Sequence, residues 1–160
     1  MADGAVPAEL EALYRTRYPY FVRVARLITD DGEAAYEAVQ EAFATALAKR
    51  RSFRGEGPLE AWVWRTVVNL AKRQSRRQIV PAATAPNDLL ENGHAEEMRA
   101  VRTWIAALPE RQRLVVFLRY YADLDYRAIA TALDVKVGTV SATLGAAHRT
   151  LQKLFEEVRT

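Results

Sequence analysis

The sequence predicts an all-α chain: two small helical domains joined by a flexible linker, the C-terminal one a helix-turn-helix. Three observations carry this. Apolar residues recur at three- and four-residue spacing along most of the chain, with no segment of strand-like alternation long enough to matter. A low-complexity piece, IVPAATAPNDLLENGHAEEM, interrupts that pattern at residues 79–98 with Pro81, Pro86, Gly93, four acidic residues and no Lys or Arg. Finally, Leu124 to Leu151, LDYRAIATALDVKVGTVSATLGAAHRTL, reads as two helices around a tight break. The divisions expected are a domain over 1–78, a linker over 79–97 and a second domain over 98–160.

The first helix opens at Pro7, whose missing N–H costs nothing in a first turn, and carries Leu10, Leu13, Tyr14, Arg17, Tyr18 and Phe21 at helical spacing. Pro19 breaks that spacing, so a kink or two abutting helices is expected before Val22, Ala25 and Ile28. Asp30-Asp31-Gly32 is a turn whose aspartates can cap the next helix. That second helix runs over about 33–49, with Ala35, Val39, Ala42, Phe43, Ala46 and Leu47 inward. Tyr36, Glu37, Gln40 and Glu41 fall on its other face, which periodicity alone reads as solvated surface.

Phe53-Arg54-Gly55-Glu56-Gly57-Pro58 is a loop, and Pro58 starts a third helix. Its expected buried stripe is Leu59, Trp62, Val63, Thr66, Val67 and Leu70, with Trp64, Arg65, Asn69, Lys72 and Arg73 opposite and Arg76 and Arg77 at the end. Between residues 60 and 78 stand five basic residues and one acid, Glu60. Basic side chains interleaved with an aromatic and an amide suit phosphate contacts combined with base stacking or hydrogen bonding; the competing reading is a solvated basic helix with Trp64 in a core.

Beyond the linker, Met98, Val101, Ile105 and Leu108 mark a short helix, and Pro109 opens the next, with Leu114, Phe117, Leu118 and Tyr121 inward and an end near Ala122-Asp123. Asp125 is a good N-cap for the helix carrying Ile129, Ala130 and Leu133. Asp134 takes the bend where such motifs usually have Gly, a substitution Asp tolerates. Val137, Val140, Leu144, Ala147 and Leu151 follow on the last helix.

Composition narrows the function. The 160 residues are 50% hydrophobic, enough for real cores, yet no run approaches the ~20 apolar residues of a membrane span. The N-terminus has no positive start followed by an apolar stretch, so no signal peptide is expected. The absence of cysteine excludes disulfides and thiolate metal sites and fits a reducing cytoplasm. Net charge is +3 and pI about 9.3, suggestive of an anionic partner. No Gly-rich phosphate loop, HExxH, nucleophile elbow or cysteine pair is present, so neither an enzyme, a metal nor a cofactor is expected.

Two regions in the right order resemble one family. AYEAVQEAF (35–43) and FRGEGPLEAWVWRTVVN (53–69), followed by the basic tail to Arg77, and then LPERQRLVVFLRYYADLDYRAIA (108–130) and VGTV (137–140), are similar to the extracytoplasmic-function sigma factors. The resemblance implies an alternative-sigma transcription initiation factor that binds core RNA polymerase, at the β′ clamp and β flap, and recognises and melts promoter DNA. It implies that Glu37, Gln40 and Glu41 meet the polymerase clamp. It also implies that Arg54, Trp64, Arg65, Asn69, Lys72, Arg73, Arg76 and Arg77 bind the separated −10 strand, and that the last helix enters the −35 major groove with Lys136, Thr139, Ser141, Ala142, Thr143, His148 and Arg149. An anti-sigma factor is the further partner it implies, with a cytoplasmic location and no membrane insertion.

The departures from the family carry expectations of their own. Ala35-Tyr36-Glu37-Ala38 stands where Ala-Glu-Asp-Leu is common, and Arg73 stands where an Asp often follows the Asn. In the last helix, Ser141, Thr143 and Ala146-Ala147-His148 replace frequent Lys and Arg, so weak −35 duplex binding is expected, with few counterions to release. The linker acids Asp88, Glu91, Glu96 and Glu97 could fold back on the basic helix at 65–77. The alternative reading is a helix-turn-helix DNA- or protein-binding regulator that does not initiate transcription.

Overall fold

A computed structural model describes residues 4–77 and 95–159. The described residues form helices α1 (Pro7–Thr29), α2 (Gly32–Ala48), α3 (Leu59–Arg77), α4 (Ala95–Ala106), α5 (Glu110–Val116), α6 (Tyr126–Leu133) and α7 (Val137–Arg159). A 3-10 turn at Arg50–Ser52 precedes the loop to α3, and a π-turn at Phe117–Tyr121 extends α5. The all-α expectation holds over these residues; the expected linker lies, as far as residue 94, outside them.

Helices α1, α2 and α3 pack pairwise into one unit. Ala35, Ala38, Ala42 and Ala46 are buried on α2, and such small side chains let neighbouring helices approach closely. The space is filled by aromatics: Phe21 stacks on Trp64 with centroids 4.2 Å apart and meets the edge of Phe43 at 5.2 Å. Pro19 does not divide α1, which runs unbroken through it. Pro19 is exposed, so the Arg15 carbonyl it leaves without a partner can be hydrated.

Two further expectations are corrected. Leu47 is 45% exposed, while Ala34 and Ala38, outside the expected stripe, are buried on α2. On α3 the buried residues are Ala61, Val63, Trp64, Val67, Val68, Leu70 and Ala71, while Trp62 and Thr66 are half-buried. Trp64 is fully enclosed and its Nε1 donates to Glu60 at 3.4 Å, so it cannot touch a nucleic acid strand.

In the C-terminal half α5 and α6 pack on α7. Asp125 caps α6, its carboxylate accepting from the Ala128 N–H at 2.8 Å. Asp30, Asp123 and Asp134 are the described non-glycine residues with positive φ, and Asp30 and Asp134 end α1 and α6 in the left-handed conformation that Asp tolerates. The π-turn closes with the Ala122 N–H on the Phe117 carbonyl at 3.1 Å.

The two halves lie against each other, α6 on α3 and the π-turn on α1. Arg17 of α1 is the clasp: its Nε donates to Glu60 and its Nη2 to the Ala122 carbonyl at 2.6 Å. Replacing Trp64 with Ala should cost about 3–5 kcal/mol, the range for truncating a buried large aromatic, measured as a fall in the urea midpoint at unchanged slope.

Candidate nucleic-acid interface

Three surfaces collect the residues expected to bind. On α2, Glu37 and Glu41 are exposed and Gln40 is half-buried, its amide donating to the Tyr14 hydroxyl at 2.8 Å. Helical geometry puts Tyr36 and Leu47, 52% and 45% exposed, on the Gln40 edge of the same face. This is an amide and carboxylate surface bordered by apolar groups, a composition suited to docking a protein. Tyr18 lies under it: burial above all raises its pKa, the Tyr14 and Tyr36 charges add to this, and the Gln40 hydrogen bond opposes it.

The second surface is a cleft of about 430 Å³ between the end of α2 and α3, lined among others by Lys49, Ser52, Trp62, Arg65, Thr66, Asn69 and Arg73. Trp62 is propped by Phe53 of the preceding loop, ring centroids 5.4 Å apart. Aromatic, amide, hydroxyl and guanidinium groups therefore converge on one concavity. Arg65, Asn69, Arg73 and Arg76 are exposed along α3, and Arg54 is exposed in the loop. The side chain of Arg77 is outside the described residues. The cleft also collects Trp62, Thr66, Lys49 and Ser52, which were not among the expected binding residues. The usable signal was that Trp62 stands three, four and seven residues before Arg65, Thr66 and Asn69, which is one helix face.

Two of the α3 cations already meet carboxylates from the other half. Arg65 Nη2 is 3.2 Å from Asp134, and Lys72 Nζ is 3.8 Å from Glu110. The side chains of the linker acids expected to shield this helix lie outside the described residues; among those described, Asp134 and Glu110 are the carboxylates that meet it.

The third surface is the start of α7. Lys136, Ser141, Ala142 and Arg149 are exposed, and Thr139 and Thr143 half-buried. His148 is also exposed, two turns beyond Ser141 on the same helix face. Its Nε2 is 2.8 Å from the Tyr120 hydroxyl, and it lines a groove with Val101, Trp104, Leu151 and Phe155. Lys136 and Arg149 thus supply the formal charge among these residues.

Comparison with known proteins places this architecture. Residues 13–79 match the family model for sigma-70 region 2, and residues 98–154 that for sigma-70 region 4. The chain is 30% identical over 145 residues to the RNA polymerase sigma-H factor of Pseudomonas aeruginosa, covering 79% of this chain and 75% of the relative. It is 36% identical over 130 residues to the ECF RNA polymerase sigma-E factor of Escherichia coli, covering 68% and 66%. In fold it is similar to the sigma factor RpoE of Bartonella quintana, solved with the anti-sigma factor NepR, at a TM-score of 0.74 and 20% identity over 92% of this chain and 97% of that one.

The chain therefore belongs to the sigma-70 family, in its extracytoplasmic-function group. Its function is that of an alternative sigma factor in transcription initiation, and the reading as a regulator that does not initiate is not favoured.

The raised Tyr18 pKa carries a stability signature. A raised folded-state value means stability that is full below the unfolded tyrosine pKa and is lost as pH climbs through the folded one. Unfolding free energy should fall above about pH 10, and Tyr18→Phe should make that fall shallower in denaturant titrations.

Proposed function

We propose that residues 1–78 hold both the polymerase-docking and the strand-binding surfaces, and that residues 98–160 form a duplex-reading unit. Glu37, Gln40 and Glu41 contact the polymerase clamp, with Tyr36 and Leu47 contributing apolar area. The cleft carries the reading for the strand: Trp62 stacks on an unpaired base, Asn69 hydrogen-bonds a base edge, and Arg65, Arg73 and Arg76 hold phosphates. Trp62 thereby takes the stacking role first expected of Trp64. What supports this is the convergence of an aromatic, an amide and guanidinium groups in one concavity beside the α2 face.

On α7, Lys136, Ser141, Ala142, Thr143 and Arg149 face the duplex, and Thr139 contributes a hydroxyl. With so few cations the helix contributes modest affinity and depends on polymerase to hold it in place. The protein acts by binding, without catalysis, and works in the cytoplasm beside its polymerase. Among the described residues no helix is long and apolar enough to cross a membrane. An anti-sigma factor covering the polymerase-docking surfaces is the expected antagonist, as the Bartonella relative was solved with one.

Run-off transcription with purified core polymerase and fragmented host DNA tests the reading. Discrete transcripts should appear and should vanish when Gln40 and Glu41 are both replaced by Ala. Trp62→Ala should weaken binding of a −10 single strand by about 1–3 kcal/mol, the usual contribution of one stacked base. Core binding without any transcript, under all conditions and templates, would refute the proposed strand and duplex surfaces.

The duplex surface has its own test. Replacing both Lys136 and Arg149 by Ala should flatten the log K against log salt slope for −35 duplex binding by about 2, close to one counterion per lost phosphate contact.

A further inference from the structure

A second concavity, unrelated to the strand cleft, lies where the halves meet. It has a volume of about 430 Å³ and is bounded by the C-terminal parts of α1 and α3 on one side and by α4, α5 and the π-turn on the other. Arg26 enters it from α1, Arg102 from α4 and Arg113 from α5. All three are half-buried.

Their electrostatic state is unlike that of the other cations between the halves. Arg17, Arg65 and Lys72 each have a carboxylate within reach. Among the described residues none of Arg26, Arg102 and Arg113 is in an ion pair. Arg113 donates to the Ala106 carbonyl at 3.2 Å, which fixes its guanidinium at the rim. Asp30 also lines the cleft, leaving two positive charges in excess over its described lining residues. Half-desolvated guanidinium groups in excess over the carboxylate beside them attract an anion, and their planar forks match phosphate oxygens.

The wall beside them is not polar. Ile105 and Phe117 are buried and Tyr121 is half-buried, together giving the cleft an apolar and aromatic side. Its volume falls in the range of small-molecule sites, roughly 300–1,000 Å³. A bare phosphate would use the arginines and leave this wall unused. A ligand with a phosphate chain and a flat ring uses both.

We propose that this cleft binds a nucleoside polyphosphate, phosphates on Arg26, Arg102 and Arg113 and the base against the Tyr121 side. Arg26 belongs to one half and Arg102 and Arg113 to the other, so the ligand binds tightly only while the halves are together. It therefore favours the arrangement in which α6 lies on α3 and Asp134 on Arg65. Resting on the strand-binding reading above, the consequence is that nucleotide and −10 single strand compete without sharing a site.

Calorimetry on the full chain at physiological salt, with ATP, GTP and pyrophosphate as probes, tests this. One nucleotide should bind per chain, at least tenfold tighter than pyrophosphate. Arg102→Gln and Arg113→Gln should each weaken it at least tenfold, with helicity by circular dichroism unchanged. Arg73→Gln, on the strand cleft, should leave nucleotide binding as it was. No binding at millimolar nucleotide overturns the site, as does binding indifferent to Arg102 and Arg113 or lost with Arg73. Pyrophosphate binding as tightly as nucleotide overturns the ligand class. In a second titration, nucleotide should weaken a labelled single strand severalfold in the native chain and not in Arg102→Gln. Nucleotide binding that depends on Arg102 but leaves the strand unaffected keeps the site and overturns the coupling.

Discussion

The guanidinium of Arg17 joins three parts of the molecule that are distant in sequence. It donates to Glu60 on α3 and to the carbonyl of Ala122 after the π-turn, and lies 3.9 Å over the ring of Tyr20. Glu60 in turn accepts from the indole of Trp64, the largest residue of the three-helix core. A partly buried arginine is tolerable when its donors are engaged and its plane is stacked. The π-turn matters because its wider hydrogen bond, Ala122 N–H to Phe117, ends the helix with the Ala122 carbonyl available to Arg17. Core packing, helix ending and the meeting of the halves therefore share one side chain.

That meeting has a cost in exposure of the binding surfaces. Helix α6 lies on α3, the helix whose outer face carries Arg65, Asn69 and Arg73, and Asp134 reaches Arg65 from the bend of the helix-turn-helix. Asp134 has two effects through one geometry. Its left-handed backbone makes the bend between α6 and α7, and its carboxylate is thereby projected onto Arg65 of α3. An ordinary glycine at the bend would serve the first purpose and not the second.

Much of this was legible in the sequence. Capping aspartates at 31 and 125, the ends near Asp30, Asp123 and Asp134, and the order of the helices follow from local chemistry that tertiary packing did not override. The candidate interface was legible by region but not by side chain. Two residues along a helix are about 200° of rotation, so the expected exposed Trp64 is in the core and the expected core Trp62 lines the cleft. Both are tryptophan, and their immediate neighbours do not distinguish them. Pro19 misled because proline's cost depends on whether the orphaned carbonyl reaches water, which periodicity does not report. The π-turn and the clasp on Arg17 depend on a contact between residues far apart in the chain, and no local pattern announces it.

The distribution of charge determines how such a protein can be regulated. The pairs Arg65–Asp134 and Lys72–Glu110 are largely exposed on at least one side, and surface pairs contribute little, about 0–1 kcal/mol each. They bias the closed arrangement without locking it, and salt or a competing polyanion weakens them. What resists opening is the Arg17 clasp together with the apolar contact of α6 on α3, neither of which a DNA strand can replace by charge alone. Binding energy from elsewhere must separate the halves. The α2 face lies outside the α3–α6 contact, so under the proposed assignment of surfaces polymerase can dock there, and supply that energy, before any strand is engaged.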